Sequence, residues 1–408
     1  MARSIILLNF VAFFDLLAVG IIVPLIPSYA RQLGANHISI GLLGSIYAGF
    51  QLLSGPVIGS LSDLKGRKTV LILTLIVCAL TYFAMGFSKS VIILLLLRAV
   101  LGVFKHTQLL TKALVPDYEN DEKKQSVIYG KMAAISGVGI TLGPVLGGHI
   151  VEDFPTHGFT IIAMIVCSCF LINTGLVYLL PKTENSSKKA KENKGNLVDL
   201  VVESSKQIVV ELSKVQWHKY WKIFLFQALN SFAMGVYYSN YAIYLKTQFL
   251  LTPKHVGYVV SVQGVIGAVS SFLMGYINSF YKHDGDYSIR NYHVFLALSV
   301  SLLGIALSNY VFMYMVFLAP LAIGNAVGRL VTLEMLLKKS HGDHRGTLIG
   351  ASNSVRSLTG VLSPIVSGSI GQFFGVEFVI YASLFATSVG LATSYLYTAK
   401  EVTKEKQK

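Results

Sequence analysis

The sequence predicts an all-α membrane protein, with twelve transmembrane helices in two pseudo-symmetric six-helix halves. Three observations predict it. The 408-residue chain is 53% hydrophobic and 13% charged, whereas soluble domains carry roughly 25% charged residues. Apolar runs of about 20 residues, enough to cross roughly 30 Å of hydrocarbon, recur from one end to the other. The two halves also repeat each other. Gly41 and Gly59 recur as Gly257 and Gly275 at a shift of 216, and Gly130, Pro144 and Gly148 recur as Gly350, Pro364 and Gly368 at a shift of 220. Single coincidences are cheap in a chain with 36 glycines, but five matches at neighbouring shifts, one of them a proline, indicate duplicated halves.

The first six spans are expected at 5–29, 38–61, 69–88, 90–114, 127–150 and 159–180. The second six are expected at 220–246, 254–280, 292–308, 310–337, 346–371 and 377–398. Span one is too long for a signal peptide, lacks a small-residue cleavage site and contains Asp15, Pro24 and Pro27, so it is read as a retained helix. The halves are then 1–181 and 220–399, joined by a linker at 182–219 and followed by a tail at 400–408. Residues 182–196 are polar, while Leu197 to Trp217 interleaves Val, Leu and Ile with Asp199, Glu203, Lys206, Glu211 and Lys214. That pattern suits an amphipathic helix lying on the inner membrane surface. Asn185-Ser-Ser is a glycosylation sequon that a cytosolic linker would leave unmodified.

Charge sets the topology. The net charge of +14 comes from Lys and Arg concentrated in alternate loops: Lys65, Arg67 and Lys68; Lys123 and Lys124; Lys182 to Lys222; Lys282 and Arg290; Lys338, Lys339 and Arg345; and the tail. This bias puts both termini in the cytosol of an integral, multi-pass membrane protein. The basic balance therefore reports orientation and not a nucleic-acid partner. Cys78, Cys167 and Cys169 fall inside spans without metal-ligand spacing, so apolar filling is their expected role and no metal site is expected. No HExxH, GxSxG, P-loop or GxGxxG pattern lies in a suitable context, so neither an enzyme nor a cofactor is expected.

The loop Gly59-Ser-Leu-Ser-Asp-Leu-Lys-Gly-Arg-Lys68 carries the strongest motif. It resembles the major facilitator superfamily pattern G-x-L-x-D-x-x-G-R-K at every consensus position. Gly59 and Gly66 would allow close helix contact and a tight turn. The resemblance implies the major facilitator fold, and a cytosolic charge cluster of Asp63, Arg67 and Lys68 that latches the two halves. The loop from Gly275 to Arg290 lacks the pattern, so the latch is expected to be one-sided. In span five, Gly139, Gly143, Pro144, Gly147 and Gly148 look like the motif of antiporter branches. Physically they strip one helix face bare and remove a backbone donor, which would let span five pack against the opposite half as a pivot and seal. Ordinary small-residue packing is the alternative.

Asp15, Gly20, Pro24 and Pro27 in span one are similar to the pattern of tetracycline-efflux-like proton antiporters. Asp15 lies roughly 15 Å deep at 1.5 Å per residue, where a carboxyl group either binds and releases protons or sits fixed in an ion pair. In span four Arg98, Lys105 and Lys112 recur every seven residues on one face, with His106 and Thr107 beside the central lysine. Arg98 and Gly102 match the superfamily's R-x-x-x-G, which implies a proton-coupling role for the arginine. The string Gly102-Val-Phe-Lys-His-Thr107 looks most like an orphan vertebrate branch of that superfamily. Lys105 is either a cation facing a solute or the partner of Asp15 or Glu334, and His106 either a proton relay or a packing residue.

In the second half Asn230, Tyr237, Tyr238, Asn240 and Tyr241 of span seven suit a midplane cavity, with Arg329 and Glu334 in span ten and Arg356 in span eleven. Asp117, Glu119, Asp121 and Glu122 read as a solvated loop. The expected function is secondary active transport of a small organic solute by alternating access, with proton antiport, in a monomer embedded in the lipid bilayer. Asp15, Arg98 and His106 would couple protons, and Lys105, Asn230, Tyr237, Tyr238, Arg329, Glu334 and Arg356 would line the cavity. An organic-anion facilitator using the cationic face of span four is the variant. A membrane receptor or scaffold on the same fold is the alternative from another class.

Overall fold

The computed structural model describes residues 2–181, 210, 213, 215–282, 284–340 and 345–406. Every expected span is helical, and no strand occurs among the described residues. Span one runs over Ala2–Ile22, passes through one tight turn at Val23–Leu25 and continues as Ile26–Gln32. Pro24 and Pro27 account for that turn, since each removes a backbone donor. Spans two and three are His37–Lys65 and Arg67–Gly86. Span four is two helices, Val91–Phe104 and Thr107–Ala113, and spans five and six are Glu122–Asp153 and Gly158–Tyr178. In the second half span seven is Trp217–Phe249, span eight is Pro253–Phe272 with Met274–Ser279, and span nine is Ser288–Ala306. Spans ten to twelve are Val311–Lys339, Arg345–Phe373 and Glu377–Lys406. The amphipathic segment expected over 197–217 lies almost wholly outside the described residues.

Ten candidate spans are long and apolar enough to cross a membrane, and spans seven and eleven fall short of that measure. Their polar side chains bond to each other. Gln227 Nε2 donates to Ser352 O at 2.7 Å and accepts at Oε1 from Ser352 Oγ at 2.9 Å. Asn240 Nδ2 donates to Ser367 Oγ at 2.6 Å. Interhelical bonds of this kind hold helices together where water is absent.

The chain forms two compact units: Met1–Ala35, Ile46–Val209 and Leu251–Ser261 in one, Asn36–Ser45, Val210–Leu250 and Val262–Lys408 in the other. In the first unit span one packs on spans five and six, and span three on spans four and six. In the second, span seven packs on spans eleven and twelve, and span nine on spans ten and twelve. The same pairs meet after a shift of six spans, as duplication requires.

Each unit also takes in the first turns of one span from the other half of the sequence, and there the repeated residues meet. In the first unit a Cβ on Gly257 would overlap Pro144 O, and one on Gly148 would sit 2.6 Å from Pro253 O. In the second, a Cβ on Gly41 would overlap Pro364 O, and one on Gly368 would sit 2.6 Å from His37 O. Ser261 Oγ donates to Thr141 O at 2.5 Å, and Ser45 Oγ donates to Val361 O at 2.6 Å. The two shifts of 216 and 220 seen in the sequence are the two sides of one joint, built twice.

Candidate functional site

The Gly59–Lys68 loop folds as a clasp. Gly66 stands at φ +92°, a conformation that glycine adopts without strain, and so lets span three start immediately after span two ends. Arg67 Nε and Nη2 donate to Asp63 Oδ1 at 3.1 and 3.0 Å. Its Nη1 donates to Ala113 O at 2.7 Å and to Asp117 Oδ1 at 3.2 Å. Lys68 Nζ donates to Tyr178 O at 2.9 Å and also to Leu180 O. These bonds gather the ends of spans two, three, four and six inside the first unit. The expectation of a solvated Asp117 is corrected, since its side chain is 11% exposed and bonded to Arg67. Close contact at Gly59 is corrected too, because a Cβ there meets open space.

The second unit has a clasp of its own, which overturns the expectation of a one-sided device. Asp284 Oδ2 accepts from Arg290 N at 2.9 Å and Nε at 3.0 Å. Arg290 Nη2 donates to Asp284 O at 2.6 Å and Nη1 to Asn278 Oδ1 at 2.7 Å, with the guanidinium 3.9 Å from the Tyr287 ring centre. Lys338 Nζ, at the end of span ten, donates to Gly285 O. It ties the loop between spans eight and nine to span ten, as Arg67 ties its loop to span four. The two clasps use the same Asp–Arg chemistry with different motif letters.

The bare face of span five divides. A Cβ on Gly139 would lie 2.6 Å from Phe13 O, one on Gly143 2.5 Å from Gly20 C, and one on Gly147 2.5 Å from Ile21 O. These three therefore seat span one of their own half, which corrects the expectation that the whole face meets the opposite half. Of the five motif residues, Pro144 and Gly148 meet span eight.

A buried charge pair occupies the centre of the first unit. Lys105 Nζ donates to Asp15 Oδ1 at 2.6 Å, with the two side chains 5% and 0% exposed. Gln108 Nε2 donates to Asp15 Oδ2 at 3.0 Å, and the ammonium lies 5.4 Å from the Phe170 ring centre. Lys105 reaches this position because span four is broken there: Lys105 stands at φ −78°, ψ 70° and His106 at φ −114°, ψ 24°. The break frees the carbonyl of Lys105, and Gln51 Nε2 of span two donates to it at 2.9 Å. His106 Nε2 is 2.8 Å from Ser54 Oγ, which also donates to Gly102 O at 3.2 Å. Arg98 is nine-tenths buried, its guanidinium 4.3 Å from the Tyr47 ring centre.

The heptad of cations therefore does not form one stripe, because Lys105 turns to span one while Arg98 stacks on span two. Gln51, Ser54, Gln108 and Tyr47 escaped the sequence reading. The polar pair Gln51 and Ser54, one turn apart in an apolar span, was the available signal.

The span-seven residues separate as well. Tyr237 is fully buried with its hydroxyl bonded to that of Tyr314, and Asn230 is 3% exposed against the backbone at Gly328. Both pack the second unit instead of lining an open surface. Asn240 bonds span eleven, and Tyr241 is buried. Tyr238 is exposed, and its hydroxyl accepts from Gln263 Nε2 at 2.9 Å and Asn325 Nδ2 at 3.2 Å. Arg329 follows Asn325 by one turn, and its charge acts on both Tyr238 and Arg356. Arg329 and Arg356 are exposed. Glu334 Oε2 is buried without a hydrogen-bond partner. Among the described residues none of these three makes an ion pair.

Twelve spans in duplicated halves, with a charge clasp in each unit and a carboxylate–ammonium pair buried among apolar spans, define a multi-pass membrane protein of the solute-transporter class. The chain belongs to the major facilitator superfamily, whose family model matches residues 8–279 and 223–408. It is a transporter and not an enzyme. It is 24% identical to the tetracycline resistance protein, class H, of Pasteurella multocida over 99% of this chain and 98% of that one. It is 25% identical to solute carrier family 67 member A1 of Homo sapiens over 91% of this chain and 87% of that one. Two solved structures share its fold. The human organic anion transporter MFSD10 matches with a TM-score of 0.64 at 18% identity, over 96% of this chain and 99% of that one. A bacterial homologue of the human lysosomal transporter Spinster matches with a TM-score of 0.76 at 13% identity, over 98% and 97%.

Proposed function

We propose that this chain is a secondary active transporter that exchanges a small organic solute for protons by alternating access. The Asp15–Lys105 pair at the break in span four carries the proposal. A buried ion pair in an apolar setting offers little net stability, yet losing one charge leaves the other stranded at high cost. A proton arriving at Asp15 would remove the carboxylate charge and release the ammonium. Lys105 sits between two helices and not within one, so its release would let Thr107–Ala113 move relative to Val91–Phe104. Proton binding and helix movement are then one event. His106, held by Ser54, and Arg98, stacked on Tyr47, flank the pair and would guide the proton. The similarity to a tetracycline resistance protein, and to the quinolone resistance protein NorA of Staphylococcus aureus, supports an exchange reading. Both termini lie in the cytosol in this proposal, and the monomer is the working unit.

The test is flux into proteoliposomes from a cell metabolite extract, with and without a pH gradient, read by mass spectrometry. At least one solute should accumulate only with the gradient, and Asp15→Asn should lose that dependence. An Asp15→Asn protein with full gradient dependence would remove Asp15 from coupling.

A further inference from the structure

Two arginines lie deep in adjacent spans of the second unit, and among the described residues neither makes an ion pair with a carboxylate, Glu334 of span ten included. Arg329 precedes the end of span ten at Lys339 by ten residues, and Arg356 follows the start of span eleven at Arg345 by eleven. At about 1.5 Å per residue they sit about 15 and 17 Å from the connected ends, at matching depth. They lie within each other's electrostatic field. Both are exposed, and a guanidinium at that depth cannot face hydrocarbon, so they face an aqueous space.

The neighbouring polar groups add donors. The Tyr238 hydroxyl accepts from Gln263 and Asn325, which leaves its own hydrogen for another acceptor. Arginine has no acceptor at all, and its planar fork matches carboxylate, sulfonate or phosphate oxygens. Lys105 makes a contrast, because Asp15 already neutralises it.

Resting on the transporter reading above, we infer that Arg329, Arg356 and Tyr238 form a binding subsite for an anionic group of the transported solute. The solute is then an organic anion, held from spans ten, eleven and seven and not from the cationic face of span four. Without a ligand the two guanidiniums repel each other, and the anion relieves that repulsion as it binds.

Binding tests this without knowledge of the natural solute. Full-length protein in neutral detergent at low salt is unfolded thermally with benzenesulfonate, with benzyltrimethylammonium or with neither. Benzenesulfonate at ten times its dissociation constant should raise the midpoint by about 1–2 °C, and the cation should not. Arg356→Gln should unfold at or above the wild-type temperature without ligand, because it relieves repulsion, and should lose the benzenesulfonate shift. Arg329→Gln should behave alike, and Arg356→Lys should keep part of the shift. Equal benzenesulfonate shifts in wild type and both Gln variants, or no shift in any of them, would overturn the inference. Stabilisation by phosphatidylglycerol but not by benzenesulfonate would assign the arginines to lipid and overturn it as well. The readout is binding and not flux, so a failure of proton exchange at Asp15 would leave this result standing.

Discussion

Asp15 and Lys105 should be coupled in stability as a unit. Asp15→Asn leaves an ammonium that is 5% exposed beside neutral amides, and Lys105→Gln leaves a fully buried carboxylate with only Gln108 donating to it. Breaking one side of a buried pair costs about 3–5 kcal/mol. The double variant carries two neutral amides that can bond each other, and should fall within about 2 kcal/mol of wild type. The coupling energy from the cycle is then at least about 4 kcal/mol, above the range usual for neighbouring residues. Unfolding is best followed by loss of helical circular dichroism in a dodecyl sulfate titration. Tryptophan fluorescence would report the wrong unit, because Trp217 and Trp221 both lie in span seven. Single-variant penalties under about 1 kcal/mol, or penalties that simply add, would refute the ion-pair account.

The duplicated joints should respond alike: Gly257→Ala and Gly41→Ala each force two helices apart and should cost about 1–3 kcal/mol in thermal unfolding. Gly59→Ala, whose Cβ meets open space, should stay within about 0.5 kcal/mol of wild type in the same experiment. Arg67→Gln removes the guanidinium bonds to Asp63, Asp117 and the carbonyl of Ala113, so limited proteolysis should cut the loop after span two faster, and Arg67→Lys should protect only in part. Asp284→Asn unpairs Arg290 in a site where both are buried and should cost about 3–5 kcal/mol by thermal unfolding, more than Asp63→Asn, whose side chain is 59% exposed.

Helices and duplication were legible because both leave periodic traces. Twenty-residue apolar runs are obligatory in lipid, and the Gly–carbonyl contacts of the joints tolerate no side chain, so Gly41, Gly148, Gly257 and Gly368 had to stay glycine. Span seven was recognisable by position even though it falls short of a simple apolar measure. Partner choice was less legible. The Gly-rich face of span five looked like a contact with the opposite half, but a bare face does not say which helix fills it. The clasp in the second unit was missed because Asp284 and Arg290 meet through a longer loop with different spacing. Lys105 was recognised as a candidate partner of Asp15. The break that lets it turn there has no proline or glycine at 105 or 106 to announce it, and depends on Gln51 from another span.

The central claim is that the Asp15–Lys105 pair opens by taking a proton as solute crosses. Proteoliposomes loaded with the pH dye pyranine measure it directly when a metabolite extract is added outside. The account predicts solute-dependent proton movement opposite to the solute in wild type, and none in Asp15→Asn protein that still binds solute. Solute uptake without proton movement in wild type, or undiminished proton movement in Asp15→Asn, would contradict it.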